Sequence, residues 1–258
     1  MTEDRHQSRP PPAAAGIAST GRLPARLIEA RLLSPTVREL TIEVEMQGDH
    51  VFTYDAGQYV DLYVPTNSLT MKRSYSIASA PNQRGKNRFD IAVTRAAENA
   101  RASDALHGHT VGNAYEVVGP RGGFVRRERR PTLFVGAGTG LAPLRAMIQD
   151  DLRSNDGAPL AVLFGGRDES HLLWKGDVDE WKKSDRIHVD VTLSRGSDSW
   201  SGLRGHVQSH VVAAFDRIAE KSEAQIFVCG LSAMVIDVVT ALEKHGVDPK
   251  RIFSESYS

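Results

Sequence analysis

Between Leu23 and Tyr115, apolar residues recur at every second position. Leu40, Ile42, Val44 and Met46 make one run, Val60, Leu62 and Val64 a second, and Phe89, Ile91 and Val93 a third. A period of two turns one side of each segment toward a core and the other toward water, the pattern of half-buried strands. Turn-forming pieces such as PNQRGKN, residues 81–87, separate the runs, as in an antiparallel barrel or sandwich. Past Pro131 short apolar strands alternate with helical segments: TLFVGAG with GLAPLRAMIQDDLR, LAVLFGG with HLLWKGDVDEWKK, IHVDVTLS with GHVQSHVVAAF, and AQIFVCG with SAMVIDVVTALEKHG. RIFSESY closes the series. That alternation predicts a parallel sheet covered by helices on both faces. The chain divides accordingly into a flexible tail, residues 1–22, and two domains, residues 23–130 and 131–258. A length of 258 residues is enough for two modest cores.

Composition works mainly by exclusion. Lys and Arg total 32 and Asp and Glu total 32, so formal net charge is zero, which argues against a nucleic-acid partner. No apolar run approaches the roughly 18 residues needed to span a bilayer, so no membrane segment is expected. Glu3, Asp4 and the Pro10, Pro11, Pro12 run give the first 22 residues the character of a flexible tail and not of a signal peptide. The single cysteine, Cys229, excludes internal disulfides and cysteine-bound iron–sulfur clusters and suits a reducing, cytoplasmic setting. The nine histidines do not assemble a recognisable metal-ligand pattern, and no metal is expected. One local departure is RRERRP, where Arg126, Arg127, Arg129 and Arg130 crowd together. Such a run is either a solvated linker or a docking site for an acidic partner.

Two stretches carry candidate chemistry. In MKRSYSIASA, residues 71–80, strand alternation places Arg73 and Tyr75 on one face and Ser74 and Ser76 on the other. By residue type alone these four suit the exposed face of an ordinary strand. In GAGTGLAP, residues 136–143, a glycine-rich turn joins a strand to a helix. There the backbone can approach a ligand, and the helix start offers free amides to a pyrophosphate. Its spacing is G-x-G-x-G and not the dinucleotide G-x-G-x-x-G.

Taken in order, these motifs and four more make the sequence resemble the ferredoxin–NADP(+) reductase superfamily over nearly its whole length after the tail. Arg73, Ser74, Tyr75 and Ser76 correspond to the R-x-Y-S flavin motif. Residues 100–103 fall at the G-x-x-S element, with Ala100 in place of glycine. GPRGGF, residues 119–124, fits the end of the flavin domain, and GAGTGLAP fits the nicotinamide-dinucleotide phosphate loop. CGLSAM, residues 229–234, fits C-G-x-x-x-M, with Ser232 where many relatives have proline, a change expected to loosen the turn. Glu255, Ser256 and Tyr257 resemble the E-x-Y terminus of the plant-type enzymes.

The resemblance implies a two-domain fold, an antiparallel β-barrel flavin-binding domain followed by a Rossmann-like α/β domain whose parallel sheet binds NAD(P). It also implies a flavin-dependent reductase that passes a hydride from NADPH to FAD and then single electrons to an acceptor. On this basis Arg73 binds a flavin phosphate, Tyr75 stacks on the ring, and Ser74 and Ser76 lie at the flavin, Ser76 near its reactive nitrogen. Ser103 binds phosphate, caps its helix, or does both. Gly138, Thr139, Gly140, Pro143 and Gly230 shape the nicotinamide-nucleotide site. Cys229 is by type a small buried residue and by resemblance lines the nicotinamide pocket. Glu255 and Tyr257, otherwise a charge and an aromatic near a chain end, take their place beside the nicotinamide and over the second flavin face, with Ser258 displacing the terminal carboxylate. GPRGGF in place of P-x-N-x-F favours FAD over FMN.

The segment SRGSDSWSGLRGHVQ, residues 194–208, bears on the choice of nucleotide. A 2'-phosphate needs cationic and hydroxyl donors where an NADH enzyme can place an acidic residue for the ribose. The strand here ends in Ser194 and Arg195, with no acidic residue before Asp198. Gly202, Arg204, His206 and Gln208 match the spacing of the plant-type pattern, with histidine for its tyrosine. NADPH is therefore favoured over NADH, although the W-x-G-x-x-G form of residues 200–205 also occurs in NADH-using relatives. No iron–sulfur or haem domain is apparent in the chain, so a separate acceptor is expected: a ferredoxin, an oxygenase component or a haem protein. The alternative is a flavin-holding electron-transfer or regulatory subunit active only within a larger complex. Trp174, Trp181 and Phe164 are expected in the core.

Overall fold

The computed structural model describes residues 19–95, 101–154 and 157–257. The alternating half of the chain forms strands β1 (Ser19–Ser34), β2 (Val37–Val44), β3 (Tyr59–Pro65), β4 (Thr70–Ser76), β5 (Arg88–Thr94) and β6 (Ala114–Arg121). They lie antiparallel in the order β4-β3-β6-β1-β2-β5, and a bridge between Ile77 and Ile91 joins the two ends of the sheet into a barrel. Leu40, Ile42, Val60, Leu62, Val64, Phe89 and Ile91 are all fully buried, as the period of two predicts. With Leu27, Ile77 and Leu106 they make one core. Helix α1 (Arg101–Gly108) adds Leu106 to that core. Residues 19–22, assigned from sequence to the tail, belong to β1. Ser19 pairs with Gly119 of β6, and Arg22 forms an ion pair with Glu116, so a waiting neighbour strand extends β1 backward.

The second half contains β7 (Thr132–Ala137), α2 (Leu141–Ser154), β8 (Leu160–Gly166), α3 (Lys175–Trp181), β9 (Ile187–Leu193) and β10 (Leu203–Arg204). It continues with α4 (Val211–Asp216), β11 (Gln225–Leu231), α5 (Ser232–Lys244) and β12 (Ile252–Tyr257). All pairings are parallel, in the order β10-β9-β8-β7-β11-β12. Alternate residues of the inner strands enter different cores. Phe134, Val162, Phe164 and Phe227 meet α2 and α3, whereas Leu133, Val135, Leu163 and Val228 meet α4 and α5. Trp174, Trp181 and Phe164 are buried, as expected.

Two predicted helices are shorter than their patterns. In HLLWKGDVDEWKK, Leu172 is extended and Trp174 takes a left-handed conformation with φ 46°, so α3 begins only at Lys175. In GHVQSHVVAAF, a single 3₁₀ turn at Val207–Ser209 precedes α4. Among the described residues, no helix is long and apolar enough to cross a membrane.

The arginine knot between the halves folds inward. Arg126 donates to Asp151 Oδ1 at 2.5 Å and to Thr132 Oγ1 at 2.9 Å, and Arg129 reaches the same aspartate oxygen at 2.9 Å. Arg186 closes on Asp151 Oδ2 at 2.8 Å. A buried aspartate on α2 therefore anchors the linker, and two of the four arginines read as a docking candidate, Arg126 and Arg129, are committed to it. Arg130 pairs with Glu128 at 2.5 Å, and Arg127 remains exposed. Removing the one anion that faces three guanidinium groups leaves buried charge uncompensated. Asp151→Ala should lower unfolding free energy by about 3–5 kcal/mol in urea titration; a loss below about 1 kcal/mol would contradict this reading of the linker.

Candidate active site at the seam between the sheets

Strand register gathers three motifs that lie far apart in sequence. Cys229 on β11 is paired with Gly136 on β7 and with Glu255 on β12, so these three residues form one row across the sheet. Two positions on, Leu231 is paired with Tyr257. Tyr257 then reaches across to the barrel, where its hydroxyl lies 2.8 Å from Ser76 Oγ. Ser232, at the turn where many relatives have proline, donates its hydroxyl to the Tyr257 carbonyl at 3.2 Å, a bond a proline ring has no donor to make. Ser258 lies outside the described residues.

Burial sets the acid–base character of this corner. Cys229 is fully buried, and desolvation, with Glu255 nearby, pushes its thiol up to about 12. Burial also raises the Glu255 carboxyl above the usual carboxylate range, and its Oε2 is buried with no hydrogen-bond partner among the described residues. The Tyr257 hydroxyl is raised well above its ordinary value, by burial first and then by Cys229. An orphaned carboxylate oxygen beside a small neutral thiol is the kind of gap a bound amide fills.

On β4 the pairing separates the motif by face. Arg73 and Tyr75 stand opposite Leu62 and Val60, and Ser74 and Ser76 stand opposite Asp61 and Tyr59. Tyr75 packs on the barrel core, and burial pushes its hydroxyl up to about 12. Arg73 is exposed, with one donor on the Lys72 carbonyl at 2.8 Å and the rest of its fork turned to solvent. The Ser74 hydroxyl is occupied, donating to buried Asp61 at 2.6 Å. Ser103 is buried in the first turn of α1, and Arg38 caps the other end with donors to the carbonyls of Leu106, His107 and His109, each at 2.8 Å. Ala100 lies outside the described residues.

Two of the three glycines in the GAGTGLAP loop, Gly138 and Gly140, are there for different reasons. Gly138 has φ 54°, and a Cβ there would meet nothing within 4 Å, so this backbone is open to a ligand. A Cβ on Gly140 would lie 2.2 Å from the Cys229 carbonyl oxygen, so that glycine lets the loop pack on β11. Thr139 Oγ1 is 3.3 Å from Thr94 Oγ1 of the barrel, Pro143 is buried in the first turn of α2, and Met234 lies over Gly230.

At the far end of the sheet, Ser194 N–H donates to the Gly166 carbonyl at 3.1 Å and Arg195 N–H to the Arg167 carbonyl at 2.6 Å. The side chains of Arg195 and Arg167 are exposed and have no partner among the described residues. Arg167 was not singled out from the sequence, yet it follows β8 much as Arg195 follows β9, a signal that was there to read. Arg204 is engaged elsewhere: its guanidinium donates to the carbonyls of Gly196, Ser197 and Trp200 at 3.1, 2.7 and 3.1 Å and so shapes the loop. Gln208 turns to Asp237 at 3.3 Å and leaves its Oε1 buried without a partner.

Residues 24–125 match the oxidoreductase FAD-binding domain family and residues 134–240 the oxidoreductase NAD-binding domain family. Over 241 residues the chain is 42% identical to ferredoxin–NADP reductase B of Sorangium cellulosum (strain So ce56), covering 90% of this chain and 96% of that protein. The chain belongs to the ferredoxin–NADP reductase superfamily. It is a flavin-dependent NAD(P)H oxidoreductase that uses FAD and a nicotinamide nucleotide. It is 26% identical over 239 residues to the phenol hydroxylase P5 protein of Acinetobacter pittii (strain PHEA-2), covering 90% of this chain and 65% of that relative's length. The FAD/NAD-binding domain of nitric oxide dioxygenase from Vibrio cholerae O1 biovar El Tor shares the fold, with a TM-score of 0.81 at 22% identity over 91% of this chain and 98% of that one.

The raised thiol of Cys229 gives a direct test. Thiolate is the reactive form, and it forms here only as pH approaches about 12. At pH 8 iodoacetamide should alkylate the urea-unfolded chain within minutes and leave the folded chain intact, as read by mass spectrometry. Equal labelling rates in the two states would contradict the burial described.

Proposed function

We propose that this reductase takes its electrons from NADPH through FAD and delivers them to a separate acceptor protein, a ferredoxin or an oxygenase component, in a reducing cytoplasmic setting. The observation that carries the nucleotide choice is the pair Arg167 and Arg195, two unpartnered cations on touching backbone segments at the ends of neighbouring strands. Of the carboxylates nearby, Asp168 and Glu169 are committed elsewhere, and the exposed Asp198 follows three residues past Arg195. Asp168 accepts from Ser170 and His171 at 2.6 and 2.8 Å, and Glu169 accepts from the amide and hydroxyl of Ser197 at 3.0 and 2.5 Å. Two free guanidinium groups suit a 2'-phosphate, whereas a bare ribose diol calls for a free carboxylate. The acceptor half of the reading is supported by the names of the Sorangium and Acinetobacter relatives.

When bound, FAD accepts a hydride from the reduced nicotinamide and releases its electrons singly. The residues present fit both cofactors. Arg73 presents its free fork to a flavin phosphate, Tyr75 offers a flat apolar face, and Ser103 lies at a helix start suited to phosphate. Ser74, its hydroxyl held by Asp61, contributes backbone and shape. Gly138 and the start of α2 hold the dinucleotide phosphates, with Thr139, Gly140, Pro143 and Gly230 shaping the turn. Ser194 adds a small hydroxyl beside the two arginines, while Arg204 and Gln208 act by holding the loop and its neighbour in place. Ser76 and Tyr257 keep the corner closed until a nicotinamide enters. Cys229 is compact enough for two flat rings to approach, and Glu255 Oε2 holds a proton to higher pH than an exposed carboxylate does.

Replacing Arg167 and Arg195 with leucine should raise KM for NADPH by about tenfold or more per arginine, given about 1.5–3 kcal/mol for a charge-assisted hydrogen bond, with little change for NADH. Steady-state kinetics with both nucleotides reads this out. Equal losses with NADH and NADPH, or none with either, would remove the 2'-phosphate assignment. For the acceptor, NADPH-dependent cytochrome c reduction should accelerate when a ferredoxin is added; a rate indifferent to ferredoxin would turn the search to oxygenase components.

A further inference from the structure

A second cluster of charge lies at the seam, apart from the residues assigned to the cofactors. Glu39 on β2 and Asp90 on β5 are 1% and 0% exposed, and both turn outward from the barrel. Barrel cations meet part of this charge: Arg31 donates to Glu39 Oε2 at 2.5 Å, and Arg84 holds Asp90 at 2.8 Å. The remainder is met from the other domain. Arg145 on α2, itself 4% exposed, places Nη1 at 3.8 Å from Glu39 and 3.7 Å from Asp90 and donates it to the Ala78 carbonyl at 2.7 Å. Its Nε donates to Asp177 on α3 at 2.5 Å. Trp174 Nε1 donates to Glu39 Oε1 at 2.6 Å, and the Arg145 guanidinium lies 5.1 Å from the Trp174 ring centroid.

The backbone of Trp174 is informative here. A bulky residue at φ 46° is unfavourable and persists only where its surroundings over-determine it. The bond across the seam to Glu39 is one such determinant. Adhesion alone does not call for this arrangement, because Val37, Ala56, Ala78 and Ala92 of the barrel already share an apolar core with Leu144 and Met147 of α2. Buried ion pairs add little net stability but are strongly directional.

The connections show what that direction fixes. Helix α2 opens on the phosphate loop, Trp174 ends the segment that begins at Arg167, and Ala78 lies two residues beyond Ser76. One cluster therefore ties both nucleotide-binding elements to the flavin motif. We propose that Arg145, Trp174 and Glu39 are positioning residues, an interdomain latch that sets the register of the nucleotide-binding sheet on the flavin barrel and so the approach of donor to acceptor ring. This rests on the reading that hydride crosses this seam.

The test uses the FAD-loaded full chain and two variants, Trp174→Phe, which keeps the ring and removes the indole donor, and Arg145→Lys, which keeps the charge but cannot bridge Ala78 and Asp177. Anaerobic rapid mixing with saturating NADPH, and with NADPH deuterated at C4 of the nicotinamide, reads the limiting rate of flavin bleaching and its isotope effect. Since a displacement of about 1 Å can slow a reaction about a hundredfold, the variants should bleach about tenfold to a hundredfold more slowly. FAD content and half-saturating NADPH should stay at wild-type values, and the isotope effect on bleaching should grow as hydride transfer limits it more fully. Wild-type rates and isotope effects in both variants would overturn the latch, as would a rate that falls only in proportion to lost FAD. If one variant fails to fold, the other decides. The wild-type control separates the two ideas: bleaching in wild type and equally in the variants overturns the latch alone, whereas a wild-type chain that NADPH does not bleach overturns the reading beneath it.

Discussion

Glu39 and Asp90 emerge from the barrel as buried carboxylates that need cations, and one of those cations, Arg145, comes from the other domain. Neither surface is complete without its neighbour: separating them would expose the apolar patch around Ala78 and leave Arg145 and Glu39 without cross-seam partners. The other features of the site build on this constraint. The Ser76–Tyr257 contact and the 3.3 Å approach of Thr94 to Thr139 both require a single relative placement of barrel and sheet.

Within that frame, parallel register concentrates the chemistry. Neighbouring parallel strands bring their carboxyl ends together, so the ends of β7, β11 and β12 deliver Gly136, Cys229 and Glu255 side by side. The barrel supplies the opposing wall from the ends of β4 and β5. A buried neutral thiol, a desolvated carboxyl and a tyrosine bonded across the seam line this corner, and the proposed hydride transfer needs two flat groups held close with water excluded.

Much of the fold was legible because its cores are written in periods. Alternation at Leu40, Ile42, Val60, Leu62, Phe89 and Ile91 predicted a closed barrel interior, and strand–helix alternation after Pro131 predicted a parallel sheet with two covered faces. The R-x-Y-S and C-G-x-x-x-M motifs led to residues that register brings together at the seam. What was not legible depends on partners distant in sequence. The sequence leaves Arg126 and Arg129 open as a solvated linker or a docking site and does not show Asp151 beneath them, nor the loop carbonyls that engage Arg204, nor the Asp61 carboxylate that takes the Ser74 hydroxyl. The HLLW stretch looked helical because its spacing suits a helix, but Trp174 is held in a left-handed turn and bonded across the seam to Glu39. Periodicity reports burial well and reports hydrogen-bond partners hardly at all.

Anaerobic rapid mixing of the FAD-loaded wild-type chain with NADPH and, separately, with NADH is the direct test of the proposed hydride transfer from NADPH to FAD at this seam, with the visible flavin absorbance as the signal. Complete bleaching is expected with NADPH, faster than with NADH at equal concentration. Bound flavin that neither nucleotide bleaches would contradict it.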